Sequence, residues 1–157
     1  MIETYPFYTE NEQIGKFVYT FQTDFGDLYY VEFFQSNYLF SEDKLSTINP
    51  YEISFFPKNR KKRIFDLKIR NTIIKLIQYF IDKNDCSIFY ICDSSDKREY
   101  KRLRLFIKWY SVCENINYVH DYRIIEFEDY SFIIGFISPI YDSIDKYFDK
   151  INIDFLS

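Results

Sequence analysis

The run SIFYIC at residues 87–92 constrains the fold more than any other feature, because it is almost wholly apolar and shows no alternation. A strand without alternation is covered on both faces. Stretches with helical periodicity flank it, at residues 66–83 and 96–113. Asp66 can cap the first helix. These features predict an interior strand with a helix on either side of it in the chain.

The remaining elements follow from local patterns. Two β-hairpins and one further strand are predicted from runs rich in aromatic and β-branched residues. Their residues are 17–22 with 28–34, 51–56, and 122–127 with 131–137. Ser138 and Pro139 predict the start of a last helix. The order βββαβαββα predicts an α+β fold, a mixed and mainly antiparallel sheet with helices packed on it. Residues 1–157 form one domain, of which residues 1–15 could be a mobile arm.

Composition excludes several classes of site. The chain has three glycines among its 157 residues, too few for a glycine-rich phosphate loop. Its three cysteines lack metal-ligand spacing, and His120 is the only histidine, so we expect no metal. No apolar run is long enough to span a bilayer, and the first residues do not resemble a signal peptide. We therefore expect a cytoplasmic protein without a membrane contact.

Charge is distributed unevenly along the chain. Residues 57–108 contain 15 Lys and Arg against 6 Asp and Glu, a net charge of +9, whereas the rest of the chain carries −13. Such asymmetry predicts an anionic ligand for the central segment, either a nucleic acid or a nucleotide. The alternative is that these charges pair with the acidic flanks of the folded chain.

The basic residues fall into two groups, the loop KNRKKR after Pro57 and one face of the helix at 96–113. Arg98 and Arg102 lie one helical turn apart, which suits a phosphate or a carboxylate. Asp93 and Asp96 could equally pair with them internally. The candidate ligand-binding residues are Lys58, Arg60, Lys61, Lys62, Arg63, Arg98, Lys101, Arg102, Arg104 and Lys108.

Cys92, Asp93 and Asp96 are candidates for catalysis, because ligands gather beyond the carboxyl ends of strands in open α/β sheets. In the alternative interpretation Cys92 is a small buried apolar residue, and the aspartates bind free N–H groups of the following helix. No histidine or other evident base lies near the thiol in the sequence. The balance of these arguments is against an enzyme, although the sequence leaves the question open.

The segment from Arg63 to Tyr110 resembles a family of short bacterial proteins of unknown function. The resemblance is carried by Thr72-Ile73, Phe80 and the stretch YICDSSDKREYKRLRLFIKWY at 90–110. Lys97 departs from the pattern, which has glycine there. The matching positions in that stretch are Cys92, Asp93, Asp96, Arg98, Arg102, Arg104, Leu105, Phe106 and Trp109.

From the first hairpin onward, the element order also resembles the later part of GNAT-type N-acetyltransferases. This resemblance implies coenzyme A or acetyl-CoA as cofactor, with its pyrophosphate at the loop 58–65. Apart from this resemblance, we expect no cofactor. Two departures stand against acetyl transfer. The loop lacks glycine, and Phe106 occupies the place of the family's tyrosine general acid. Phenylalanine cannot donate a proton.

Together these features predict a non-catalytic module that binds nucleic acid or a nucleotide through a basic face. One alternative is a divergent acyl-CoA-dependent N-acyltransferase. Another is a component of a bacterial defence or toxin–antitoxin system whose acidic flanks bind a protein partner.

Overall fold

A computed structural model describes residues 3–13, 15–35, 40, 50–59, 66–93, 103–104, 107–108, 111, 117–140, 145–149 and 151. Seven strands and two helices with defined bounds lie in this part of the chain. They are β1 (Phe7–Gln13), β2 (Lys16–Gln22), β3 (Leu28–Gln35), β4 (Pro50–Pro57), α1 (Leu67–Asn84), β5 (Ser87–Asp93), β6 (Tyr118–Glu126), β7 (Ser131–Pro139) and α2 (Asp145–Phe148).

The seven strands form one sheet in the order β1-β2-β3-β4-β5-β7-β6. Among these described strands, five neighbouring pairs are antiparallel, and the pair of β4 with β5 is parallel. Helix α1 makes the connection that a parallel pair needs. The α+β fold with a mixed, mainly antiparallel sheet is therefore confirmed, and the run at 87–92 is an interior strand, as predicted.

Strand β1 is absent from the predicted element order. It pairs with β2 along its length, from Phe7 opposite Phe21 to Gln13 opposite Lys16. Residues 7–13 thus belong to the sheet. Its sequence FYTENEQ lacks an alternating apolar pattern because most of its side chains are exposed.

Helix α1 begins as predicted. The Asp66 carboxylate accepts a hydrogen bond from the backbone N–H of Ile69, 2.8 Å away. This bond satisfies one of the free N–H groups at the helix start. Asp85 ends the helix in the left-handed conformation, with φ at 47°. The buried face, which runs from Ile69 to Ile81, packs on the aromatic residues of β2, β3 and β4.

The two faces of the sheet carry separate apolar clusters. Ile88, Tyr90 and Cys92 of β5 belong to the cluster under α1. The intervening Phe89 and Ile91 belong to a second cluster with Tyr147 of α2. A strand with apolar residues on both faces is buried on both, which explains why β5 shows no alternation.

Two predicted elements have other bounds in the structure. Ser138 and Pro139 are the last residues of β7, and the helix that follows is confined to Asp145–Phe148 within the described residues. Pairing of Pro139 with Tyr118 holds these residues in the sheet. The second hairpin is confirmed, with both strands longer than predicted. It includes His120, which lies outside the strand predicted at residues 122–127.

Candidate anion-binding site

The only parallel pair of strands in the described sheet separates after a short ladder. The pairing of β4 with β5 begins with Pro50 opposite Ser87 and ends with Glu52 opposite Phe89. Strand β4 nevertheless continues to Pro57 alongside β3, and β5 continues to Asp93 alongside β7. The two strands therefore part toward their carboxyl ends. Because they are parallel, both of these ends lie at the same edge of the sheet.

The basic loop begins at this edge. Lys58, its first residue, donates a backbone hydrogen bond to the Leu28 carbonyl, 2.7 Å away, and its side chain is exposed. Arg60, Lys61, Lys62 and Arg63 lie outside the described residues. The chain is described again at Asp66, where α1 starts. The loop thus connects the carboxyl end of β4 to the amino end of α1.

Asp66 places a negative charge at the amino end of α1. One carboxylate oxygen accepts the Ile69 N–H, and the other accepts the Tyr5 hydroxyl at 2.5 Å. A carboxylate already occupies the positive end of the helix dipole. Lys68 and Arg70 are the charged residues of the first turn, and Lys68 lies 3.6 Å from Asp24. An anion at this edge would therefore depend on basic side chains more than on helix N–H groups.

The second basic group follows β5, the other strand of the parallel pair. Leu103 is buried in the cluster under α1, while Arg104 and Lys108 are exposed. All three residues have helical backbone, as predicted. Residues four apart on a helix are neighbours on its surface, so the helix predicted at 96–113 would place Arg104 and Lys108 side by side. Arg98, Lys101 and Arg102 lie outside the described residues.

Cys92 is buried at 2% exposure in the cluster under α1, next to the end of β5. Asp93 is the last residue of that strand and pairs with Phe132. Asp96 lies outside the described residues, so the three catalytic candidates are not brought together in the described part of the chain. The burial of Cys92 agrees with its interpretation as a small apolar residue of the core.

A buried polar pair escaped the sequence analysis. The Tyr90 hydroxyl lies 2.5 Å from Nε2 of His120, across β7 from its own strand. Burial lowers the pKa of His120 to about 4, and burial also raises the pKa of Tyr90. Both side chains are therefore neutral at pH 7. Tyr118, His120 and Tyr122 occupy every second position, and this period of two residues was the signal that could have placed His120 in a strand.

A cleft of about 350 Å³ lies at the opposite edge of the sheet. Asp82 and Asp85 line it, together with the Tyr118 ring. The Tyr118 hydroxyl donates to Asp82 at a distance of 2.5 Å. Carboxylates on its wall make this cleft unsuited to an anion, and it lies at the amino ends of β5 and β6.

The described residues hold no group of three or more His, Cys, Asp or Glu side chains placed to bind a metal ion. Neither described helix has both the length and the hydropathy that a membrane crossing requires.

No curated protein and no solved structure gives a significant match to the chain. A family profile does match, over residues 65–144, which is just over half of the chain. This range includes α1, β5, β6 and β7, and it covers the segment between β5 and β6 that carries the second basic group. The chain belongs to DUF6169, a family of unknown function.

Proposed function

We propose that this protein binds a phosphate-bearing ligand of the nucleotide type, as a non-catalytic module, at the edge of the sheet where β4 and β5 part. One observation supports the proposal: β4 and β5 are parallel neighbours that part toward their carboxyl ends, and in the sequence each of these strands is followed by one of the two basic groups. Ligands of open α/β sheets bind outside such ends, where neighbouring connections leave the sheet in different directions.

The charge of the chain supports this location. Residues 57–108 carry +9, whereas the remainder carries −13. A concentrated positive segment within an acidic chain attracts an anion to one place. Lys58, Arg104 and Lys108 are exposed and belong to this segment. The arginines among the candidate residues suit phosphate because a guanidinium donates two parallel hydrogen bonds.

The test is calorimetric titration with ATP and with a short single-stranded oligonucleotide. We compare the wild type with a loop variant, Lys61→Gln/Lys62→Gln. The matched control is Lys75→Gln/Lys83→Gln, which removes the same two charges from exposed positions farther along α1. Loss of two phosphate contacts should weaken ATP binding about tenfold or more, since tenfold corresponds to about 1.4 kcal/mol. The control should bind like the wild type.

The outcomes separate the ligands. Equal weakening in both variants would mean that net charge matters and the loop does not. Binding of the oligonucleotide but not ATP, with an affinity that falls steeply with salt, would assign the basic groups to nucleic acid. Absence of binding to both ligands at millimolar concentration would contradict the proposal.

A second candidate, an acyl-CoA-dependent transferase on a GNAT-like scaffold, is favoured by the strand arrangement. The element order resembles that family, and the parting of β4 and β5 offers an elongated ligand a place between two strands. Coenzyme A contains a nucleotide, so the same basic groups would serve it. Phe106 in the place of the general acid, and the loop without glycine, weigh against transfer chemistry.

Coenzyme A and adenosine 3′-phosphate 5′-diphosphate distinguish the two candidates. Both carry the same nucleotide with the same phosphates, but coenzyme A adds an extended pantetheine arm. A tenfold or greater preference for coenzyme A would support the transferase scaffold, and a transfer assay with acetyl-CoA and an amine mixture would follow. Equal affinity for both would favour the nucleotide-binding module.

A further inference from the structure

The two outermost strands of the sheet, β1 and β6, differ in how their unpaired sides are protected from other chains. Edge strands expose backbone hydrogen-bonding groups to other chains, and proteins blunt them with bulges, prolines and charges. Strand β1 carries an irregularity between Thr9 and Asn11 and exposes Glu10 and Glu12. Strand β6 pairs with β7 without any irregularity over all nine residues. Within the described residues, no strand pairs with its outer side.

The sequence of β6, YVHDYRIIE, contains neither proline nor lysine. It places apolar side chains on both faces near its end. Ile124 is 41% exposed, and Ile125 on the other face is partly buried. A long, regular edge with isoleucines on both faces is the kind of edge that pairs with another strand. The charged side chains of β6 determine which strand can pair with it.

Antiparallel pairing of β6 with itself is consistent with its charges in one register. If a twofold axis passes through Tyr122, the middle residue of the nine, Asp121 lies opposite Arg123 of the other copy. An axis through Asp121 or through Arg123 would instead place like charges opposite each other, which is unfavourable. The favoured register also pairs all nine residues.

We propose that β6 is the interface at which a second copy of this chain binds, antiparallel and centred on Tyr122. The two seven-stranded sheets then continue into each other. Val119 packs beside Ile125 of the second copy on one face, and His120 beside Ile124 on the other. A twofold interface of this kind uses one surface twice and closes after two copies.

Existing contacts hold the charged pair ready for this interface. Arg123 lies 2.8 Å from Asp121 and 3.3 Å from Asp145, and its guanidinium lies over the Phe148 ring at 4.4 Å. Asp121 and Arg123 therefore both lie on the α2 face of the sheet. In the dimer, two copies of the Asp121–Arg123 pair form a network of four alternating charges.

Sedimentation velocity of charge variants tests the register. The wild type should be dimeric at about 50 µM, a concentration at which micromolar interfaces are occupied. Asp121→Arg and Arg123→Asp should each be monomeric, because each places like charges opposite one another. An equimolar mixture of the two variants should form dimers, since one copy then presents two cations and the other two carboxylates. Glu10→Arg on β1 is the matched control and should remain dimeric.

Each alternative result is decisive. A monomeric wild type overturns the proposal. A dimer that persists in both single variants places the interface elsewhere, and a mixture that stays monomeric excludes the register. A fold damaged by either substitution is recognised separately by circular dichroism of the single variants.

A disulfide provides a second test that does not depend on charge. In an antiparallel pair, residues directly opposite each other have Cα atoms about 4.5–5.5 Å apart, within reach of a disulfide. Tyr122→Cys should therefore cross-link into a dimer under mild oxidation, whereas Tyr8→Cys, exposed on β1, should not. Equal cross-linking of both variants, or of neither, would overturn the interface.

Discussion

The ring of Tyr90 lies directly over Gly135, its partner on the neighbouring strand β7. A Cβ atom at position 135 would overlap Cζ and the hydroxyl oxygen of Tyr90. The absence of a side chain there lets the tyrosine cross β7 and reach His120 on β6. Gly135 therefore serves the packing of three strands, although no turn or positive φ requires a glycine at this position.

Gly135→Ala should destabilise the protein strongly. The added methyl group meets a buried ring, and overpacking of a core typically costs about 1–3 kcal/mol, occasionally more. Urea unfolding measures the loss. In a Tyr90→Ala background the ring is gone, so the same glycine substitution should cost much less. Equal costs in both backgrounds would show that the ring is not what the methyl group meets.

The stability of the protein should depend on the protonation of His120. Its pKa is about 4 in the folded chain and 6.5 when exposed. Between these values the unfolded chain binds more protons, so the contribution of His120 is fully present above pH 6.5 and is lost as the pH falls toward 4. The full loss is about 3–4 kcal/mol, at about 1.4 kcal/mol for each unit of pKa.

The control for this pH dependence is His120→Gln, which keeps a polar group near Tyr90 but does not titrate. Urea unfolding of both proteins at pH 7, 6 and 5 should give a steeper fall for the wild type. Aspartates and glutamates titrate in both proteins, so only the difference between the curves reports on His120. Parallel curves would contradict the prediction.

Phe80→Ala should be among the most costly single substitutions in α1. Its ring stacks on Phe33 at 4.2 Å and meets Tyr51 and Phe17 edge-on at 5.0 and 5.1 Å. Truncation of a buried phenylalanine costs about 3–5 kcal/mol, which lowers the Tm by about 10 °C in a domain of this size. The control is Tyr79→Ala, at the preceding position, whose side chain is 40% exposed, and this substitution should cost far less.

The sequence predicted those elements whose signal is local. Asp66 was recognisable as a cap, and the apolar run at 87–92 as an interior strand, because capping residues and covered strands have their own compositions. Strand β1 was missed since its side chains are mostly exposed, so its place in the sheet depends on backbone pairing with β2. Ser138 and Pro139 resembled a helix start, but pairing with β6 overrides that local preference.

The candidate site was predictable only in part. The count of charged residues showed that residues 57–108 are basic. The general rule that ligands of open α/β sheets bind beyond the carboxyl ends of strands then pointed to the segments that follow the strands. The sequence did not indicate that β4 and β5 are parallel neighbours that part after three pairs, because strand order depends on contacts between distant residues. For the same reason it did not bring Tyr90 to His120, which is 30 positions away.

Two buried tyrosines should respond in opposite ways to loss of their hydroxyl groups. The Tyr5 hydroxyl donates to the Asp66 carboxylate at 2.5 Å and also accepts the Asp24 N–H at 3.3 Å. The Tyr19 hydroxyl is buried and has no hydrogen-bond partner among the described residues. Burial raises the pKa of Tyr19 to about 12, so this hydroxyl is neutral at pH 7.

Tyr5→Phe should lower the free energy of unfolding by about 1.5–3 kcal/mol, the usual contribution of a hydrogen bond to a charged group. It also removes the contact between Tyr5 and Asp66, the residue that caps α1. Tyr19→Phe should be neutral or stabilising, because it removes a buried hydroxyl that contributes no bond and keeps the ring packing. Urea unfolding of the two variants compares them directly. A loss above about 1 kcal/mol for Tyr19→Phe would mean that its hydroxyl binds a group beyond the described residues.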